Sequence, residues 1–391
     1  MSDSVREAAR PHLAVLTREL QQAGAIRSWP WATAFGSVPR HLFVPAWYEQ
    51  ETSDSGITVW RQRHATDEGG LAAVYRDVTL VTALDPATAE QVDDTAWTGI
   101  PTSSSTLPSL MAGMLEDLAV EDGHRVLEIG TGTGYNAALL CARLGEAVVH
   151  SMDIDQALAD TAQKRLARLG YEPQLLPGDG TLGYPTGEPF DRIIATCSVP
   201  AIPAAWVEQL RPGGVFVGDV TLGVEGGLVQ LSRGADGRLR GFFTANGGRF
   251  MPARTDASTY PAPQRPDRAP TTGRRPTTLT ASEIRAHYPL RLLLAFQLPG
   301  TEVVYNVDQE GTALQLQRGD GSWARVPLAG EHMGTVTYGG DDGLWKQAEE
   351  AWEWWTGAGR PEQDHFGYAQ DPDGSAFAWY LPDGTRWNLI S

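Results

Sequence analysis

"VLEIGTGTGYNAA", residues 126–138, carries the reading of the fold. Val126 to Ile129 form a short apolar run around one acid, Glu128, as in a buried strand. Gly130, Gly132 and Gly134 follow, and Ala137, Leu140, Cys141 and Leu144 then recur at helical spacing. A strand that ends in glycines and opens into a helix makes a cradle for a ligand. Glycine lets the backbone approach closely, and the free N–H groups of the helix start favour negative charge. The spacing is GxGxG, whereas a dinucleotide pyrophosphate site usually reads GxGxxG. With Glu128 two residues ahead of the first glycine, the turn suits a ligand carrying a carboxylate and an ammonium but no pyrophosphate. S-adenosylmethionine is such a ligand.

The alternation continues on the C-terminal side. "AVVHSMDI" (147–154) predicts a second strand, and Leu158, Ala162, Leu166 and Leu169 mark a second helix. Residues 172–176, "FDRIIATCSV" (190–199) and "LRPGGVFVGDV" (210–220) predict three more strands. Strands alternating with helices imply an α/β, doubly wound, mostly parallel sheet. Asp153 ends the second strand, where a carboxylate can grip both ribose hydroxyls. Asp179 and Gly180, in "PGDGT" (177–181), end the third, where Asp179 is placed to accept from an adenine amino group.

Upstream, "PTSSSTLPSLMAGMLEDL" (101–118) sets the hydroxyl run Ser103 to Thr106 before a proline and an amphipathic helix. Helix capping is the plain reading. Residues 11–23 predict a helix, and 46–100 are poorly periodic, like an insertion. Downstream, 252–280 contain six prolines and five arginines and read as a linker. Residues 281–391 read as a smaller α+β domain, with hairpin turns at "RGDGSW", "DPDGSA" and "LPDGTRW". A helix is expected over 343–359, with Trp345, Trp352 and Trp355 as core residues rather than a ligand box.

Bulk properties narrow the function. The chain has 391 residues, enough for two domains. Its net charge of −17 argues against a nucleic-acid substrate and favours a cationic peptide partner. Two cysteines, Cys141 and Cys197, sit in apolar runs and fit a reducing compartment. No run is long and apolar enough for a membrane span, so a cytoplasmic protein is expected. The eight histidines have no metal-ligand spacing, and no metal is expected.

Six segments resemble the protein-L-isoaspartate O-methyltransferase family in order. They are "VPRHLFVP" (38–45), "VLEIGTGTGYNAALL" (126–140), "GDG" (178–180), "PFDRIIATCSVPAIP" (189–203), "QLRPGGVFV" (209–217) and "GGRFMP" (247–252). The resemblance covers roughly 20–255. It implies a Rossmann-like class I methyltransferase domain over 1–251, a carboxyl O-methyltransferase activity, and S-adenosylmethionine as cofactor. The implied cofactor set is Ser103, Glu128, Gly130, Thr131, Gly132, Gly134, Tyr135, Asp153, Ile154, Asp179 and Gly180. The family carries a Thr-Ile-Ser-Gln-Pro-type segment, which "SSTLP" (104–108) matches here. The resemblance therefore puts Ser104, Ser105 and Thr106 at the reaction centre, with Thr106 in the position of the family's serine. Leu107, Cys197, Ser198 and Val199 are the expected acceptor-side residues.

Three departures stand out: Leu107 where the family has glutamine, a long interval before the hydroxyl run, and the unit 281–391, for which no counterpart in the repair enzymes is expected. Such extended relatives occur beside ribosomally made, modified peptides, including lanthipeptides and graspetides. The branch resemblance implies methylation of one aspartate side chain of a crosslinked precursor peptide, the ester then closing to an aspartimide. Unit 281–391 would recognise that substrate. A carboxylate acceptor needs no general base near neutral pH, so catalysis would rest on positioning. General isoaspartyl repair is the alternative, and a non-catalytic cofactor- or peptide-binding module is a second one.

Overall fold

The computed structural model describes residues 3–52, 58–186, 189–257, 268–308, 311–330 and 334–390. The chain divides into two compact units. One comprises residues 1–197, 208–218 and 250–261; the other comprises 198–207, 219–249 and 262–391.

The first unit begins with α1 (Asp3–Gln22) and α2 (Trp29–Ser37). Next come β1 (Ala46–Thr52), β2 (Thr58–His64), α3 (Gly70–Val74), β3 (Leu80–Leu84), β4 (Gln91–Asp93), β5 (Ala96–Trp97) and β6 (Pro101–Ser105). These strands form one sheet in the order β4-β5-β2-β1-β3-β6, antiparallel at each pairing. So the poorly periodic stretch 46–100 supplies β1 to β5 and α3, with residues 53–57 outside the described residues. The alternation is blurred because ion pairs replace apolar residues on one face. Glu49 and Glu51 pair diagonally with Arg63 and Arg61 across β1 and β2, with N–O distances of 3.1 and 2.8 Å.

Capping does not explain the hydroxyl run. Ser103, Ser104 and Ser105 are strand residues of β6, paired with Ala83, Val81 and Leu80 of β3. The helix that follows, α4 (Pro108–Asp117), has Leu107 at its N-cap and no capping side chain there. Its entry is held from outside. The Leu107 N–H donates to Thr79 Oγ1 at 3.1 Å and the Ser109 N–H to Asp77 Oδ1 at 2.8 Å.

The predicted alternation then appears as β7 (Val126–Ile129), α5 (Tyr135–Leu144), β8 (Val149–Asp153), α6 (Gln156–Ala167), β9 (Gln174–Pro177), β10 (Phe190–Val199), α7 (Ala204–Gln209) and β11 (Leu210–Thr221). The strand order is β11-β10-β7-β8-β9, and β10–β7, β7–β8 and β8–β9 are parallel. This is the expected Rossmann-like methyltransferase arrangement. The order reverses between β7 and β10, the switch point where such sheets bind ligands. Leu127, Ile193 and Ile194 are fully buried in these central strands, as are Ala137 to Leu140 on α5.

The second unit contains β12 (Gly226–Arg233), β13 (Leu239–Phe243), β14 (Thr271–Pro276), α8 (Ala281–Ala286), α9 (Tyr288–Gln297), β15 (Thr301–Asp308), β16 (Gly311–Arg318), β17 (Trp323–Pro327), β18 (Thr335–Gly339), α10 (Gly343–Gly357), β19 (Phe366–Gln370), β20 (Ala376–Tyr380) and β21 (Arg386–Ile390). All three predicted hairpin turns form, between β16 and β17, β19 and β20, and β20 and β21. Trp345 and Trp355 are core residues, while Trp352 is half-buried.

Two features differ from the sequence reading. Residues 219–249, assigned there to the first domain, cluster with the C-terminal unit because β13 pairs antiparallel with β19. Part of the proline-rich segment is not a tether. β14 pairs with β18, and Arg275 bridges Asp342 at 3.0 Å and Glu349 at 2.8 Å. Residues 258–267 of that segment, Arg265 among them, lie outside the described residues. Among the described residues, no helix is long and apolar enough to cross a membrane.

Candidate active site

The glycine turn bends where β7 ends. Gly130, Gly132 and Gly134 all have positive φ, at 99, 51 and 85°. At Gly130 the requirement is absolute in practice: a Cβ there would lie 2.6 Å from Thr196 Oγ1 on β10. That hydroxyl in turn donates to the Gly130 carbonyl at 2.8 Å. The turn and the end of β10 are thus fitted to each other at the switch point. β6 closes the other side: a Cβ on Gly132 would lie 3.8 Å from Ser103 Oγ and 3.9 Å from the Ser104 carbonyl.

The resulting pocket is lined by Ser104, Ser105 and Thr106, by Gly130 to Thr133, by Tyr135, Asn136 and Thr196, and by Met111 of α4. Two polar atoms in this wall, Tyr135 Oη and Asn136 Oδ1, are buried with no hydrogen-bond partner. Orphaned buried groups are costly, and both belong to residues that line the pocket. Together with the open glycine cradle, they fit the amino-acid end of S-adenosylmethionine. Burial also pushes the Tyr135 phenol up to about 12, so it stays protonated and able to donate.

Below the turn lies a buried polar network. Glu128 Oε1 accepts from Asn136 Nδ2 at 2.7 Å, and Oε2 accepts from Ser151 Oγ at 2.5 Å. Ser151 Oγ is 2.6 Å from Thr131 Oγ1. Desolvation pushes the Glu128 carboxyl up to about 7, against the lowering effect of these two donors. Asp153 is 8% exposed, and its Oδ2 accepts from the Gly132 N–H at 2.7 Å. Its Oδ1 accepts from the Asp155 N–H at 3.0 Å, and burial raises its pKa.

The family described as protein-L-isoaspartate(D-aspartate) O-methyltransferase matches residues 85–256. A protein-L-isoaspartate O-methyltransferase from Xanthobacter autotrophicus is 42% identical over 171 residues, 43% of this chain and 77% of the relative. One from Azorhizobium caulinodans is 36% identical over 221 residues, 56% of this chain and 82% of that one. This chain belongs to the protein-L-isoaspartate O-methyltransferase family. Other relatives are matched over less of their length; the chain spans about half of those from Methanosarcina mazei, at 46%, and Thermotoga maritima, at 49%. A solved protein-L-isoaspartate O-methyltransferase structure shares the fold at a TM-score of 0.50 and 20% identity, covering 97% of this chain and 99% of its own. That coverage corrects one expectation: unit 281–391 does have a structural counterpart in a protein of that name.

Within this family member, the predicted residues separate by their place around the pocket. Ser104, Ser105, Thr106, Gly130, Thr131, Gly132 and Tyr135 line the pocket. Glu128 and Gly134 support it from behind: both Glu128 oxygens are taken, and a Cβ on Gly134 would lie 2.9 Å from Ala162 Cβ. Ser103 is buried and accepts from Thr82 Oγ1 at 3.1 Å. Asp153, Ile154, Asp179 and Gly180 stand at the ends of β8 and β9, joined by the Gly178 N–H donating to the Asp153 carbonyl at 2.8 Å. Asp179 caps the following turn, accepting from the Thr181 N–H at 2.9 Å. On the acceptor side, Leu107 and Cys197 are half-buried, whereas Ser198 and Val199 are buried and cluster with the second unit. Thr196, the first residue of the expected acceptor-side segment "TCSVP" (196–200), is the β10 residue that reaches the pocket. Neither cysteine is in a disulfide, and burial first, then nearby Glu128, pushes the Cys141 thiol up.

The sequence reading also missed Thr133, Asn136, Met111 and Arg40. Asn136 sits in the quoted glycine stretch, directly after Tyr135, so its signal was present. Arg40 lies in "VPRHLFVP", but nothing in that segment tells that its guanidinium is fully buried.

Proposed function

We propose that this chain is an S-adenosylmethionine-dependent carboxyl methyltransferase whose acceptor is the free carboxylate of an isoaspartyl residue in a peptide or protein. The carrying observation is that the pocket at the switch point is walled by hydroxyls and contains no acid, histidine or lysine among its lining residues. A reaction needing a general base would require such a group; an ionised carboxylate does not. The bound cofactor would supply an electrophilic methyl on a sulfonium. The glycine turn, Tyr135 and Asn136 would hold its amino-acid end, with Asp153 and Asp179 near the adenosyl part. Ser104, Ser105 and Thr106 would orient the acceptor so that one carboxylate oxygen attacks in line and the opposite charges cancel as the ester forms. The family relatives' name favours isoaspartate. The two cysteines outside any disulfide fit work in the cytoplasm.

A second reading is favoured by Leu107, which stands where the family has glutamine, and by the strands β1 to β5 ahead of the hydroxyl wall. In it the acceptor is an aspartate side chain of one dedicated, crosslinked peptide, and the methyl ester closes to an aspartimide. One assay separates the two. Intact-mass spectrometry is run with S-adenosylmethionine on a generic isoaspartyl peptide, its aspartyl twin, and a crosslinked precursor peptide encoded nearby. Methylation of the isoaspartyl peptide alone supports the first reading. A methyl gain then methanol loss on the precursor alone replaces it with the second, and no methyl transfer to any peptide overturns both.

A further inference from the structure

Arg40 is fully buried on the short turn Arg40–Leu42. Its guanidinium meets no carboxylate among the described residues. Instead Nη1 donates to the carbonyls of Val74 and Arg76 at 2.9 and 3.0 Å. Nη2 lies within 3.0–3.3 Å of the Val78, Ser105 and Thr106 carbonyls and of Ser105 Oγ. Nε is buried without a partner. The nearest acids act at a distance: Asp77 is exposed and already accepts from the Ser109 N–H, while the Tyr135 and Tyr75 phenols stay neutral. A buried cation without a counter-ion is expensive to keep, because carbonyl dipoles replace only part of its hydration. The pocket beside it would receive an anion, yet no basic residue lines that pocket.

Resting on the carboxylate-acceptor reading above, we infer that Arg40 is the counter-charge for the acceptor carboxylate, acting through the Ser105 hydroxyl. When Ser105 Oγ accepts from Arg40 Nη2, its lone pair is engaged and its proton is directed away from the guanidinium. Ser105 lines the pocket, so that proton is available to an acceptor oxygen. The anion is then held by a hydroxyl polarised from behind, and the positive charge remains out of contact with the methyl donor's sulfonium. Arg40 is in these terms a positioning residue.

The test is calorimetric binding of two peptides in the presence of S-adenosylhomocysteine. One carries an isoaspartyl carboxylate; the other carries the carboxamide at the same atom. Wild-type protein is expected to prefer the carboxylate by at least about tenfold. R40M should bring that ratio close to one, R40K should keep most of it, and S105A should fall between, with S-adenosylhomocysteine affinity within about threefold throughout. An undiminished ratio in R40M overturns the inference. So does a purely structural outcome, in which R40M loses S-adenosylhomocysteine binding while S105A keeps the full ratio. Wild-type protein that binds neither peptide overturns the acceptor reading itself, and the inference with it.

Discussion

Glu128 links the chemistry of one residue to the stability of the fold. Its folded pKa of about 7 lies above the unfolded carboxylate value because burial disfavours the charge. A raised pKa gives stability that is fully present below the unfolded pKa and is lost as pH rises through about 7. The effect is on the order of 3 kcal/mol across that window. The variant E128Q has no such proton to lose. Its melting temperature relative to wild type should therefore climb as pH goes from 5 to 8; a difference that stays flat would contradict this. Gly130 gives a second test at the same scale. G130A would force a side chain into positive φ and against Thr196, costing about 1–3 kcal/mol and abolishing S-adenosylhomocysteine binding measured by calorimetry. Glycine spacing made Gly130 readable from sequence alone. The burial of Glu128 behind Asn136 and Ser151 was not readable, because a strand acid looks the same whether it faces a ligand or a neighbouring hydroxyl.

Among the elements, the parallel strands were legible and the β1–β6 sheet was not. β7 and the Ile193–Ala195 stretch of β10 are buried and read as apolar runs, whereas β8 is buried throughout but carries His150, Ser151 and Asp153. β1 and β2 carry cross-strand ion pairs, so their pattern of burial is not a pattern of hydrophobicity. The entry of α4 shows a related limit: its external support comes from Asp77 and Thr79, about thirty residues upstream, whereas the adjacent hydroxyls belong to a strand. D77A should thus destabilise the protein by about 1 kcal/mol in urea titration, with T106A costing less. Equal losses in the two variants would mean the helix is capped locally after all.

For the whole molecule, the boundary in the chain and the boundary in space do not coincide. The sequence places a domain end near residue 251, where composition changes to proline-rich. The pairing of β13 with β19, and the packing of Phe243 against Phe296 and Tyr368 at ring distances of 5.4 and 5.9 Å, tie 239–243 to chain more than fifty and, at β19, more than a hundred residues later. Long-range pairing of this kind leaves no local mark. A chain stopped at residue 251 should expose the β13 edge and an aromatic face, and aggregate during size-exclusion chromatography. A soluble, monomeric product of that length would restore the simpler two-domain division.

The two thiols of this chain have unequal chemistry. Cys141 is buried on α5 with its ionisation suppressed, while Cys197 is half-buried one residue beyond Thr196. Since the thiolate is the reactive form, a maleimide added to native protein should label one site, not two. A fluorophore attached there would sit beside the pocket's own strand. Labelling at Cys197 alone would give the protein, without any engineering, an attachment point for an optical reporter of what enters its active site.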